Sequence, residues 1–247
     1  MTLSNIKKGK KGGKKERLVI HGEKGIGKSS FGSQSPKPIF IPLEDGCSEI
    51  EALPQFPKQV TFTGTMECIK SLLEEKHDYE TVILDTYDAL IDVISAGVMK
   101  RDFDNNALKF NNFLAGNKVV AQEMKKLLDA LDELREKGMR IIILCHSGIL
   151  NVKNPNGDDY QKLSLAVPKY TSGLLVGWAD RVGHAGYEFK VKGGDDSENK
   201  KGKVLQRDSE RYLWFNGTAA VEAKTRVGYE LKAEKLLFRY ADYKAAQ

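Results

Sequence analysis

The sequence lacks the long hydrophobic runs that mark membrane-spanning and secreted proteins. No apolar stretch approaches the roughly 20 residues that a helix needs to cross a bilayer, and the first residues show no signal-peptide pattern. We therefore expect a protein without a membrane partner. At 247 residues and 40% hydrophobic composition, the chain is long enough for one ordinary α/β domain with extensions.

Cysteine is scarce as well. Cys47, Cys68 and Cys145 are odd in number and widely spaced, and no C-x-x-C occurs. This pattern argues against a disulfide framework and against a zinc site. It favours a reducing compartment, so we expect a cytoplasmic protein. Cys145 lies in an apolar run that offers nothing to lower a thiol pKa, which favours a core residue over a nucleophile.

Positive charge is in modest excess. The net charge of +5 permits a nucleic-acid partner without requiring one. Much of the excess lies in residues 1–16, where lysines alternate with glycines and no apolar face can be buried. We predict a flexible basic arm over 1–16 and a single folded domain over 17–247. The arm either attracts a phosphate backbone or only keeps the chain soluble, and composition leaves both open.

Short apolar runs alternate with helical patterns along most of the chain. Strands are predicted at 18–20, 38–42, 59–63, 81–85 and 141–146, and later ones at 181–189, 211–215 and 218–225. Helices are predicted at 65–76, 87–98 and 119–137 and in the tail from residue 232. Loops are predicted at 100–117, 147–169 and 192–207. Fully apolar strands that alternate with helices predict a parallel sheet covered on both faces.

The most specific motif runs from Gly22 to Ser29 and fits G-x-x-x-x-G-K-[ST], the phosphate-binding P-loop. It follows an apolar run and can open a helix at Lys28, which is the strand–loop–helix order that phosphate binding needs. Glycines let backbone N–H groups point at a polyphosphate. The alternative is a surface turn rich in glycine and lysine. The residues predicted to bind ATP are Gly22, Glu23, Lys24, Gly25, Ile26, Gly27, Lys28, Ser29 and Ser30.

The P-loop also predicts a Mg²⁺ site. Lys28 is predicted to reach the β- and γ-phosphates and Ser29 to bind the metal through its hydroxyl. Asp85 is predicted to be the second metal ligand, because it ends the strand at 81–85 and ligands of open α/β sheets collect at the carboxyl ends of strands. Asp85 can instead cap the following helix, and both roles can hold together.

Hydrolysis needs a further group that polarises the attacking water. Many P-loop ATPases place a Glu directly after the metal-binding Asp, but Thr86 occupies that position here. Glu44 follows the strand at 38–42 and would stand beside the phosphate site, so it is the predicted base. Asp45 is the second choice, and a plain turn carboxylate is the alternative.

His146 ends the strand at 141–146, again at the carboxyl edge. A polar side chain there can contact the γ-phosphate and respond to its presence. A histidine beside a core strand is as often a structural residue. The residues alone leave both roles open.

Four of these features, in order, resemble the RecA-like ATPases: the P-loop, the segment 40–44, the segment 82–85 and the segment 143–146. In that family the second strand ends in a catalytic Glu, as Glu44 would here. The sensor strand usually ends in Gln, so His146 departs from the family pattern. The resemblance implies a three-layer RecA-like P-loop NTPase core with a mostly parallel central sheet and antiparallel strands toward the C-terminus.

A fifth feature is Ala-Lys-Thr-Arg-Val-Gly at 223–228. It resembles the Ala-Lys-x-Arg-x-Gly segment of RecA-like ring helicases, whose Lys and Arg reach the ATP of a neighbouring subunit. The resemblance implies that Lys224 and Arg226 act in trans and that the chain works as a homo-oligomer, either a ring or a filament. The alternative is a solvated basic turn.

In length and minimal core, the chain most resembles the small phage-type RecA-like nucleotide-binding proteins of single-strand annealing recombination, over about residues 17–228. The resemblance implies ATP hydrolysis coupled to single-stranded DNA in the cytoplasm of a bacterial host, with single-strand-binding or replication proteins as candidate partners. The DNA-binding loops of RecA-like recombinases correspond to 100–117 and 147–169 here, where basic residues lie among aromatic ones.

Other interpretations stay open for the loops and for the whole chain. The two loops can be ordinary ones whose aromatic residues anchor them to the body. A helicase-type motor or loader would use the same core. A nucleotide-gated adaptor that hydrolyses little ATP is the third class of function.

Overall fold

The computed structural model describes residues 14–47, 50–192 and 203–247. The strands in this part of the chain are β1 (Arg17–Gly22), β2 (Pro38–Pro42), β3 (Thr81–Asp85), β4 (Arg140–Val152), β5 (Tyr160–Leu165), β6 (Arg181–Lys192), β7 (Lys203–Trp214), β8 (Lys224–Thr225) and β9 (Lys235–Leu237). The helices are α1 (Lys28–Ser33), α2 (Phe62–Glu74), α3 (Tyr87–Asp102), α4 (Ala107–Asn111), α5 (Ala115–Glu136), α6 (Lys169–Trp178) and α7 (Tyr240–Ala246).

One mixed sheet organises the chain. Its strand order is β2-β3-β4-β1-β6-β7-β9, with β5 paired to β4 and β8 paired to β6. The pairs from β2 across to β6 are parallel, whereas β7, β8 and β9 are antiparallel to their neighbours. Every residue of β1 and β3 is buried, as expected for strands covered on both faces.

Alternate residues of the central strands enter two separate cores. Val19, Leu84 and Ile143 pack on one face against α2, α3, α5 and α6, while Leu18 and Ile20 pack on the other face against residues of α1 and α7. The sheet is therefore the middle of three layers. This architecture, with the glycine loop after β1, confirms the predicted three-layer RecA-like P-loop NTPase core with antiparallel strands toward the C-terminus.

The predicted strand at 59–63 is wrong, because α2 begins there instead. Thr61 is the N-cap, and its hydroxyl accepts a hydrogen bond from the Gly64 amide at 3.0 Å. The N-cap therefore lies four residues before Thr65, the predicted cap. The β-branched residues Val60, Thr61 and Thr63 favour a strand, but a capped turn satisfies the free amides of a helix start.

The segment at 100–117 was predicted to be a loop but is mostly helical. It contains the end of α3, all of α4 and the start of α5. Phe110 packs edge-on against Phe103 at 5.5 Å between ring centroids and is buried, which anchors the segment. Phe113 and Leu114 adopt positive φ values of 46° and 58° and stay largely exposed.

The segment at 147–169 is not a loop either. β4 continues through Val152, and residues 147–152 pair antiparallel with β5 as a hairpin that directly follows His146. The two strands of the hairpin are joined by a turn at 155–157. Of the strand predicted at 218–225, only the last two residues form a strand, which is β8. In the tail, which was predicted to be helical from residue 232, the strand β9 comes first and the short helix α7 follows it.

The predicted basic arm mostly lies outside the described residues, which begin at Lys14, and so does the stretch 193–202 of the predicted charged loop. Glu16, predicted to belong to the arm, is instead 5% exposed. Its carboxylate accepts hydrogen bonds from Tyr243 at 2.5 Å and from Gln247 at 2.8 Å and pairs with Arg181. Glu16 therefore belongs to the folded domain. Its carboxylate links residues 243–247 to the start of β1.

A second buried carboxylate, Asp180, lies just before β6 at the amino-terminal edge of the parallel strands. Its oxygens accept from Arg17 at 2.9 Å, from Arg135 at 2.9 Å and from Arg226 at 3.3 Å. Burial acts to raise the pKa of Asp180, but the hydrogen bonds and charge of Arg17 hold it below the usual value. Asp180 thus joins β1, α5, β6 and the segment after β8.

In the described part of the chain, no helix combines the length and the apolar character needed to cross a bilayer.

We expect Asp180→Asn to lower the free energy of unfolding by about 3 kcal/mol, because it leaves the largely buried Arg135 without its carboxylate partner and leaves Arg17 with Asp132 alone. Urea denaturation measures the change. Asp129→Asn, at an exposed position of α5, is the control and should shift stability by less than about 0.5 kcal/mol. Equal stability of the two variants would contradict this role of Asp180.

Candidate functional site

The loop between β1 and α1 has the conformation that a phosphate cradle needs. Gly25 and Gly27 adopt φ values of 77° and 101°, which residues with a Cβ rarely do. A Cβ on Gly22 would lie 2.6 Å from the carbonyl oxygen of Ala185 in β6. Glycine is therefore required at Gly22 for space and at Gly25 and Gly27 for conformation.

Lys28 is the first residue of α1 and is buried. Its ammonium donates hydrogen bonds to the carbonyl oxygens of Gly22 at 3.0 Å and Glu23 at 2.9 Å. Burial lowers the pKa of Lys28, and the charges of Asp85 and Asp88 act in the opposite direction. The cation thus lies across the start of the glycine loop, where it can meet the terminal phosphates of a bound nucleotide.

Ser29 and Asp85 meet although 56 residues separate them. The Ser29 hydroxyl donates to Asp85 Oδ2 at 2.6 Å, because α1 starts beside the carboxyl end of β3. The peptide bond after Asp85 is cis. A hydroxyl and a carboxylate at this separation, beside a phosphate cradle, are oxygen ligands of the kind that Mg²⁺ takes together with substrate phosphates. The predicted pair fits the predicted metal.

Glu44 and His146 face each other across the same space. Glu44 follows β2, and its Oε1 lies 3.8 Å from Nε2 of His146. Burial raises the pKa of Glu44, reinforced by the charges of Asp85 and Asp88 and opposed by that of His146. The other ring nitrogen of His146, Nδ1, lies 2.7 Å from Oδ2 of Asp88 in the first turn of α3.

These groups border one cavity of about 470 Å³. Its lining residues are Lys24, Gly25, Gly27, Lys28, Ser29, Ser30, Glu44, Asp45, Gly46, Ile50, Asp85 and His146. Three predicted nucleotide-binding residues lie elsewhere: Gly22 ends β1, the Ile26 side chain is buried in the core, and Glu23 borders a neighbouring cavity. The residues predicted as cation, metal ligands, base and sensor therefore line the same cavity: Lys28, Ser29, Asp85, Glu44 and His146.

Lys224 and Arg226 do not line this cavity. The Lys224 ammonium donates to the carbonyl oxygens of Val176 at 2.6 Å and Ala179 at 3.0 Å, at the end of α6. Arg226 donates to Gly177 O at 2.6 Å and pairs with Asp180. Burial, and secondarily the charge of Arg226, lower the pKa of Lys224. Within one chain both cations lie toward the amino-terminal edge of the sheet, away from the P-loop.

Sequence reasoning missed two residues of the site. Asp88 follows Asp85 by three positions, and only the β3–α3 turn brings it to His146. Arg211 comes from β7, and its Nη1 donates to the P-loop carbonyl of Ile26 at 3.0 Å. A Cβ on Gly27 would lie 2.6 Å from that nitrogen, so Arg211 also fills the space that Gly27 leaves. No local motif marks a residue so far from the P-loop in sequence.

One comparison with known proteins, that with family profiles, agrees with a phosphate-binding loop at this place. A family profile described as AAA domain matches residues 14–227. No curated protein matches the chain. Among solved structures, the flagellar accessory protein FlaH from Methanocaldococcus jannaschii is similar at 13% identity and a TM-score of 0.44, over 91% of this chain and 84% of that chain. At that level of similarity, nothing about the activity or partners of FlaH transfers to this chain.

We expect Arg211→Ala to weaken nucleotide binding about fivefold, because the P-loop loses one charge-assisted hydrogen bond that holds its backbone. Calorimetric titration with ATP measures the change in Kd. Arg239→Ala is the matched control, since that exposed arginine pairs with Glu210 at 3.3 Å rather than with the loop. An unchanged Kd for Arg211→Ala, or an equal loss in both variants, would contradict the role of Arg211.

Proposed function

The chain belongs to the AAA domain family of P-loop ATPases, and from that premise we propose that it hydrolyses ATP at subunit interfaces while bound to single-stranded DNA. The process is recombination, by annealing or strand exchange, in the cytoplasm. The observation that carries the ATPase part is the convergence of Lys28, the Ser29–Asp85 pair and the Glu44–His146 pair on one cavity.

Each residue of the cavity has a definite task in this proposal. Loop amides and Lys28 bind the phosphates, and Ser29 and Asp85 hold Mg²⁺. When bound, Mg²⁺ neutralises charge on the phosphates and supplies Lewis-acid chemistry there. Glu44 orients the attacking water and accepts its proton, and its raised pKa brings it closer to working pH than an exposed carboxylate. His146 contacts the terminal phosphate.

Assembly follows from the position of Lys224 and Arg226 in this proposal. The described lining of the cavity holds the cations Lys24 and Lys28 but no arginine, so in this proposal the arginine that stabilises the transition state comes from a neighbouring chain. The Arg226 side chain is 41% exposed, and Asp180 keeps Arg17 and Arg135 if Arg226 turns away. Arg226 can therefore reach a neighbour without leaving a buried carboxylate unpaired.

The described contacts decide which aromatic residues are available for single-stranded DNA. Phe103 and Phe110 pack against each other and anchor their own segment. Phe113 is 89% exposed, and Tyr160 and Tyr170 are 38% and 55% exposed near the β4–β5 hairpin. Exposed rings can stack on bases, and nearby lysines can neutralise phosphates. We therefore assign DNA stacking to Phe113, Tyr160 and Tyr170.

The β4–β5 hairpin gives the proposal its coupling between ATP and DNA. It starts one residue after His146, on the same continuous strand. A change at His146 on hydrolysis therefore reaches the proposed DNA surface through paired backbone rather than through a flexible linker.

Steady-state ATPase rates with and without single-stranded DNA test this function. We expect DNA to stimulate the wild type, and Lys28→Ala and Glu44→Gln to lower the rate roughly 100-fold. Arg226→Ala should lower the rate by roughly 1000-fold, as for an arginine finger. Arg239→Ala is the control, because Arg239 is exposed and lies outside both proposed sites.

Mixing two inactive variants tests the shared site. In an equal mixture of Glu44→Gln and Arg226→Ala, about a quarter of the interfaces would combine an intact Glu44 with a neighbour's Arg226. We expect activity to return in the mixture. Absence of recovery would contradict action in trans. An ATPase rate that single-stranded DNA does not change would favour a nucleotide-gated adaptor. Strand unwinding driven by ATP would favour a helicase-type motor or loader.

A further inference from the structure

Asp88 holds His146 by two hydrogen bonds. Its Oδ1 accepts from the backbone amide of His146 at 2.9 Å, and its Oδ2 lies 2.7 Å from the ring nitrogen Nδ1. The two side chains are 21% and 11% exposed, so the contact is largely shielded from water. Both ends of the histidine, backbone and ring, are thereby fixed to the first turn of α3.

We propose that Asp88 is a positioning residue that fixes the ring of His146 in the tautomer and orientation needed at the triphosphate cavity. The proposal rests on the proposed ATPase function and adds a group that the function does not itself require. It joins α3, the helix that follows the metal-binding strand β3, to His146 within β4.

The chemistry of the carboxylate decides which ring nitrogen carries hydrogen. Hydrogen bonds from the side chain and backbone of His146 outweigh the effect of burial and lower the pKa of Asp88 to about 2. An ionised carboxylate only accepts hydrogen bonds, so Nδ1 carries the hydrogen and donates it. Nε2 is then the nitrogen that faces Glu44 at 3.8 Å, and it is the atom presented to the cavity.

Helix capping alone does not account for Asp88. Its carboxylate lies on the first turn of α3 and also interacts with its own backbone amide, but its two hydrogen bonds to His146 go to β4, outside the helix. The backbone bond sets the position of His146, and the ring bond then sets its rotation about the side-chain torsions. A single residue fixes both degrees of freedom, as partners of metal-binding and catalytic histidines do.

Two variants of Asp88 separate position from tautomer. Asp88→Asn keeps the size and can still accept from the His146 amide, but its NH₂ group faces Nδ1 and selects the opposite tautomer. Asp88→Ala removes both hydrogen bonds. Asp92→Asn, one turn later on α3 at an exposed position, is the matched control.

We expect Asp88→Asn to lower kcat about 10- to 100-fold with KM changed less than threefold. The ¹⁵N signals of the His146 ring should report hydrogen on Nδ1 in the wild type and on Nε2 in Asp88→Asn, with His146→Gln used to assign the signals. Asp92→Asn should match the wild type in both measurements. A purely structural role would change the melting temperature without this split between kcat and KM.

Wild-type kcat in Asp88→Asn, or an unchanged His146 tautomer, would overturn the proposal. The ring signals, recorded with and without a non-hydrolysable ATP analogue, distinguish this failure from failure of the ATPase function. If the wild type does not hydrolyse ATP, the proposal is still supported when the analogue changes the ¹⁵N chemical shift of His146 Nε2 in the wild type and does not change it in Asp88→Asn. Equal shifts in the two proteins would contradict it. Asp88→Ala provides the same test if Asp88→Asn does not fold.

Discussion

The parallel pairing of β3, β4 and β1 is the constraint on which the rest of the structure depends. Their registers align Asp85 with Leu144 and Gly22 with His146, so β3 and β1 end within two residues of each other, on either side of His146 in the continuing strand β4. The turn after β3 and the glycine loop after β1 then open onto the same space, where β4 places His146. Residues far apart in sequence become one cavity because their strands share a direction and an edge.

Contacts from outside the parallel strands hold both ends of these strands in place. Arg211, on the antiparallel strand β7, binds the P-loop backbone from the side. At the opposite edge, Glu16 and Asp180 each gather arginines that fasten the starts of β1, β4 and β6. Buried ion pairs of this kind contribute little net stability, but removing one partner is costly. They therefore fix the strands in register without dominating the free energy of unfolding.

Elements that a local sequence pattern determines could be predicted from the sequence. Residues that meet only through tertiary contacts could not. Continuous apolar runs located β1, β3 and the first half of β4, and the P-loop pattern located the loop whose glycines need positive φ. The β4–β5 hairpin was missed because its strands mix polar and apolar residues and are largely half-exposed or exposed, without the continuous apolar run of a buried strand. Asp88 was missed because its partner, His146, is 58 residues away.

A structure with a non-hydrolysable ATP analogue and Mn²⁺ tests the central claim most directly, since anomalous scattering locates the metal without ambiguity. The account predicts a metal peak beside the Ser29 hydroxyl and the Asp85 carboxylate, with the terminal phosphate facing Glu44 and His146. A metal bound away from the Ser29–Asp85 pair, or a triphosphate outside the glycine loop, would contradict it.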